Sequence, residues 1–150
     1  MMTAQIQFPK MLPPKGLKFS KCKKFAALAE KEGGRDRIGI YYATDDWKLL
    51  NQLNVETFDL QDIFWVMDDS HILIQDNCLE PKILVYNASL GTLIHKYDLE
   101  VAGRASALAV RTLALSPDTK LFAAGMYDQD LFVFRPSFEK SEKMATLTHT

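Results

Sequence analysis

Lys82-Ile83-Leu84-Val85-Tyr86 is a short apolar run closed by an aromatic residue, and the same plan occurs at Arg37-Ile38-Gly39-Ile40-Tyr41-Tyr42 and at Asp130-Leu131-Phe132-Val133-Phe134. The closing aromatics Tyr42, Tyr86 and Phe134 stand 44 and 48 residues apart. Apolar runs of this length, bounded by polar turns, suit strands better than helices. Each is preceded by two further apolar segments around a polar turn: residues 16–19 and 25–30, residues 63–66 and 71–75, and residues 111–115 and 121–125. A weaker fourth strand follows at 47–52, 92–97 and 143–148. Four short strands repeated three times predict an all-β chain of four-stranded antiparallel β-propeller blades. A two-layer sandwich is the alternative, but it does not require strands to recur in sets of four with an aromatic closing each third strand.

The period divides the chain into blades at 16–61, 62–109 and 110–150, the last running into the start of another. Residues 1–15 are a tail or the last strand of a preceding blade. At 150 residues the chain holds three blades and a remainder, whereas propellers close with about four to eight. An incomplete ring is therefore expected, with an apolar blade face bared at each end. If such a face is about 400 Å², leaving it in water forfeits about 10 kcal/mol, so the isolated chain is expected to aggregate or oligomerise.

Composition narrows the function classes. With 47% apolar and 25% charged residues the chain is neither disordered nor collagen-like. Its apolar runs are far shorter than the roughly 18 to 20 residues that span a bilayer, and no secretory apolar region opens it, so an intracellular setting is expected. Cys22 and Cys78 form no CxxC pair, and His71, His95 and His149 lie far apart, so no disulfide framework, metal or cofactor is expected. Phosphate loops, GxGxxG, HExxH and GxSxG are absent. Asp69-Ser70-His71 has hydrolase residue types, but neighbours on a strand point to opposite faces and form no relay. The chain reads as a non-enzyme.

The net charge of -1 conceals an asymmetry: residues 1–44 carry 9 basic and 3 acidic groups, residues 45–100 carry 3 and 11, and residues 101–150 carry 6 and 5. The Lys10–Lys24 stretch offers a nucleic-acid reading of the ribosome- or RNA-associated kind. No aromatic platform for bases is interleaved with it. The plainer reading makes Lys18 the outward residue between Leu17 and Phe19, with Lys21, Lys23 and Lys24 solvating a turn.

The third unit carries a family likeness. Leu115-Ser116-Pro117-Asp118, Leu121-Phe122-Ala123-Ala124-Gly125 and Met126-Tyr127-Asp128 resemble a WD repeat, with Gly125 and Asp128 at repeat positions and Phe134 where that family often has Trp. The resemblance implies that Asp128 locks a tight turn. The Asp of the terminal dipeptide is replaced by Ala43, Asn87 and Arg135, so these blades are expected to rest more on apolar packing.

Asp76-Asn77-Cys78-Leu79-Glu80-Pro81-Lys82-Ile83-Leu84-Val85-Tyr86, Asp46-Trp47-Lys48-Leu49-Leu50 and Ala27-Leu28-Ala29-Glu30 resemble a centrosomal family of WD-repeat proteins. The resemblance runs from about Phe8 to Leu131 and departs at residues 100–110. It implies a scaffold at centrosomes, spindle poles and basal bodies that acts with a coiled-coil anchoring partner to tether microtubule minus ends and to support spindle and cilium assembly.

Tight turns between antiparallel strands place successive loops at opposite ends of each blade. One end collects Glu56, Asp59, Asp76, Glu80, Asp98 and Glu100, an expected docking surface for a basic helical segment of a protein partner. Trp65 is expected in the core, facing a neighbouring blade. Trp47, at the start of a fourth strand, is expected either under the blade edge or as an exposed binding anchor.

Overall fold

The computed structural model describes residues 15–76, 82–97, 110–127, 130–135 and 142–148, and every regular element among them is a β-strand. The first sheet holds β1 (Leu17–Phe19), β2 (Phe25–Glu32), β3 (Arg35–Tyr42) and β4 (Leu49–Asn54). The second holds β5 (Leu60–Val66), β6 (His71–Asp76), β7 (Lys82–Asn87) and β8 (Leu93–Tyr97), and the third β9 (Val110–Leu115), β10 (Phe122–Met126), β11 (Asp130–Arg135) and β12 (Glu142–Thr148). Each sheet is an antiparallel meander in chain order.

The sheets stack face to face, and two apolar layers join them. Ala27, Ala29, Ile38, Ile40 and Leu53 of the first sheet meet Ile63, Trp65, Ile72, Ile74, Leu84 and Tyr86 of the second. Small alanines opposite Trp65 let the layers approach. On the second sheet's other side, Val66, Leu73, Ile83, Val85 and Tyr97 meet Val110, Leu113, Phe122, Ala124, Met126, Phe132 and Phe134 of the third. Phe122 and Phe134 stack with centroids 5.0 Å apart, and Tyr97 meets them edge-on at 4.8 and 5.0 Å. Sandwiched between two layers, β6 is buried along its whole length: Ile72, Leu73 and Ile74 fill both apolar layers, while His71, Gln75 and Asp76 are buried polar groups at its ends.

The turn between first and second strands has one design in the first and third sheets. Ser20 N–H donates to Phe25 O at 2.9 Å, and Phe25 N–H donates to Ser20 Oγ at 3.1 Å. Ser116 repeats both bonds with Leu121, at 2.9 and 3.0 Å. Lys23 and Thr119 hold the matching left-handed position, at φ 65° and 58°.

Three expectations need correction. β5 begins at Leu60 and not at residue 63, because Asp76 and Lys82 continue the pairing outward. β4 begins at Leu49, after a turn in which Asp46 and Trp47 are both left-handed, with φ of 45° and 55°. Lys18 is not the outward residue of β1: its Nζ lies 3.1 Å from Asp62 Oδ1 in the second sheet. Alternation then turns Leu17 and Phe19 away from the second sheet, and both are exposed.

Candidate protein-interaction surface

The link from β4 to β5 is gripped by buried groups of both blades. Asp36, buried in β3, accepts the Thr57 hydroxyl at 2.8 Å and Leu60 N–H at 3.4 Å through Oδ2, while Lys31 Nζ sits 3.6 Å from Oδ1. Asp76, at 0% exposure, accepts Asp59 N–H at 2.8 Å and Phe58 N–H at 3.4 Å. The buried Tyr86 hydroxyl accepts Glu56 N–H at 2.9 Å. Burial raises the pKa of that hydroxyl, so Tyr86 is a neutral phenol at physiological pH.

The residues expected to form a partner surface therefore divide. Glu56 and Asp59 are exposed together on this link. Asp76 is a correction: its carboxylate is buried against backbone N–H groups and presents nothing to a partner. Glu80, Asp98, Glu100 and the turn aspartate Asp128 lie outside the described residues. Asp36 is the residue the sequence reading missed. Its signal was available, because it precedes Tyr42 by the same six residues that separate Asp128 from Phe134.

Phe58 was also passed over. It is 70% exposed between Glu56 and Asp59, with Lys82 Nζ 5.8 Å from its ring centroid and Lys31 Nζ 3.5 Å from its carbonyl oxygen. An aromatic ring inside a polar link was its sequence signal. Among the described residues the charge here is mixed: exposed Arg35 and half-buried Lys31 and Lys82 stand with exposed Glu32, Glu56 and Asp59.

At the opposite end of the blades, Trp65 is 7% exposed and its indole N–H donates to Lys18 O at 2.9 Å. Trp47 lies in the β3–β4 turn, half-buried, with its ring edge-on to Phe19 at 5.9 Å. Tyr42, closing β3, packs 5.4 Å from Phe25. Phe134 is buried, and Gly125 leaves room for Thr112, whose methyl would lie 3.0 Å from an added Cβ. Of the basic stretch, Lys18 is committed to Asp62 and the Phe64 ring, 4.5 Å from its centroid. Lys15 lies 3.9 Å from the same carboxylate, and Lys10 is outside the described residues.

Between these two blades a cavity of about 280 Å³ opens. Phe25, Ile40, Tyr42, Leu50 and Trp65 line it, together with Asp69 from the β5–β6 turn. Asp69 reaches across to the first blade and accepts Lys21 N–H at 2.7 Å and Cys22 N–H at 2.9 Å, one bond per oxygen. Asn51 crosses in the other direction, donating to Ala88 O at 3.1 Å and Ser89 O at 2.8 Å. Among the described residues, no three His, Cys, Asp or Glu side chains converge as metal ligands.

Three stacked four-stranded meanders, with aromatic-closed third strands and an aspartate six residues before the first of those aromatics, define the fold as that of a WD-repeat β-propeller. The chain is 32% identical over 123 residues to the mouse WD repeat-containing protein WRAP73, a match covering 82% of this chain. It is similar to the solved C-terminal WD40 domain of Sif2, with a TM-score of 0.63 and 17% identity over 89% of this chain. No protein-family model matches it. The chain spans 25% of the length of the curated relative and 34% of the solved one.

Proposed function

We propose that this chain is part of a non-enzymatic protein-interaction scaffold that works at centrosomes, spindle poles and basal bodies. There it engages a coiled-coil anchoring protein and supports microtubule minus-end tethering and spindle and cilium assembly. The 32% identity to WRAP73 carries this reading, because it extends over 82% of the chain. The β4–β5 link supplies a docking point. Asp36, Asp76 and Tyr86 fix its backbone, so that exposed Phe58, Glu56 and Asp59 are held ready for a partner with little ordering cost.

The test is co-sedimentation of the tagged chain with isolated centrosomes and, in parallel, with ribosomes. The wild-type chain is expected with centrosomes, and Glu56→Lys with Asp59→Lys is expected to cut recovery about fivefold, the scale of a few partly exposed charge contacts. Recovery only with ribosomes, lost steeply as salt rises, would overturn the proposal in favour of nucleic acid. Unchanged recovery of the double variant would remove the acidic link from the docking surface.

A further inference from the structure

We propose that the cavity between the first and second blades is a receptor for a single basic side chain, arginine or lysine, presented by a partner protein. The proposal rests on the scaffold reading above and concerns the other end of the blades. Three aromatic rings converge on this cavity: Phe25 lies 5.4 Å from Tyr42 and 6.2 Å from Trp65, with interplanar angles of 37° and 31°. Aromatic faces attract cations through their negative quadrupole, and the attraction grows as water is excluded.

Among the described residues, Asp69 is the only charged one in the cavity wall. Its two oxygens each accept one backbone N–H. A carboxylate has about four acceptor directions, so capacity remains for an incoming guanidinium or ammonium. The two backbone bonds also fix the carboxylate in place, which lowers the ordering cost of pairing with a guest. Ile40 and half-exposed Leu50 provide an apolar wall for the methylene stem.

Size and charge choose the occupant. At about 280 Å³ the cavity lies at the lower limit of sites that hold whole small molecules, roughly 300 Å³, and it suits one long side chain. A neutral aliphatic guest would leave Asp69 without its counter-charge, and an acidic guest would be repelled by it. Arginine fits best, because its plane stacks on rings while its fork pairs with the carboxylate.

The experiment uses the full chain and a Gly/Ser peptide with one central arginine, titrated while the Trp65 indole resonance is followed by NMR. Matched peptides carry citrulline, the neutral isostere, or norleucine at the same position. The arginine peptide is expected to shift the Trp65 resonance saturably and to bind at least about tenfold more tightly than citrulline. Asp69→Asn and Tyr42→Leu are each expected to weaken it about three- to tenfold. Tyr42→Leu leaves the Asp69 bonds to the neighbouring turn intact, so it keeps the test sharp if Asp69→Asn unsettles that turn. Equal binding of citrulline or norleucine, an unchanged affinity in Tyr42→Leu, or no saturable shift would overturn the receptor. No partner enters this titration, so its failure leaves the centrosome assignment to be judged by co-sedimentation.

Discussion

Lys23 and Thr119 occupy the same left-handed corner in two different blades, and the corner suits them unequally. A β-branched side chain at φ 58° is strained, whereas the unbranched Lys23 at φ 65° is less so. Thr119→Gly keeps the N–H that donates to Ser116 O at 2.9 Å and removes the strain. It is expected to raise unfolding free energy by about 0.5 to 1 kcal/mol in urea titration; a loss of stability would show that the threonine side chain contributes more than its backbone strain removes. His71 sets a pH dependence. It is 2% exposed, and burial lowers its pKa below 6.5. Its Nδ1 lies 2.7 Å from Ser70 Oγ, contrary to the expected opposite-face placement, because Ser70 stands in the β5–β6 turn and not on β6. His95 is lowered in the same sense, also by burial. Between the folded and unfolded pKa values the unfolded chain binds more protons, so stability is full above about pH 6.5 and falls as pH drops below it. The urea midpoint is expected to fall from about pH 7.5 to about pH 5.5, and His71→Gln to flatten that slope without abolishing it. An unchanged slope in the variant would assign the effect elsewhere.

On the scale of the strand, Gly39 and Tyr41 form one packing unit. The Tyr41 ring lies across Gly39 on the first sheet's outer side and its hydroxyl donates to Glu30 Oε1 at 2.8 Å. A Cβ on Gly39 would sit 2.6 Å from Tyr41 Cε2. Gly39→Ala is expected to lose about 1 to 3 kcal/mol of stability. In a Tyr41→Ala background that loss should shrink, and an equal loss in both backgrounds would show that the ring is not the cause. Strand positions such as β3 and β7 were legible in the sequence because recurrence in sets of four averages out the ambiguity of any one short apolar run. The direction of Lys18 was not legible. β1 packs on the second sheet through a lysine paired with Asp62, so polarity does not mark its outer side. The start of β4 was misread because Asp46 and Trp47 spend two residues in a left-handed turn before pairing begins. Asp76 resembled a surface acid because its partners, the N–H groups of Phe58 and Asp59, lie in backbone that composition does not display. Asp36 was legible by its offset from Tyr42, and the cavity at Asp69 was not, since its walls come from two blades.

For the whole molecule, the two outer sides of the stack decide behaviour in solution. Leu17 and Phe19 face away from the second sheet and are exposed. On the third sheet, Leu131 and Val133 are half-buried on the side opposite Phe132, beside exposed Leu147. Sheets apolar on both faces are normally covered on both. The chain alone is expected to self-associate in light scattering, and Phe19→Glu with Leu17→Glu to reduce that association. A monodisperse monomer at the wild-type sequence would refute this.

The link held by Asp36 from one blade and Asp76 from the next has a mechanical meaning. Under the scaffold role proposed above, load would reach the chain through the short connections between blades. Here the connection is bonded laterally into both neighbours at once, through Thr57, Phe58, Asp59 and Leu60. Pulling the link out would therefore have to break hydrogen bonds to both blades. The two carboxylates thereby couple the first and second blades to each other through the chain that joins them.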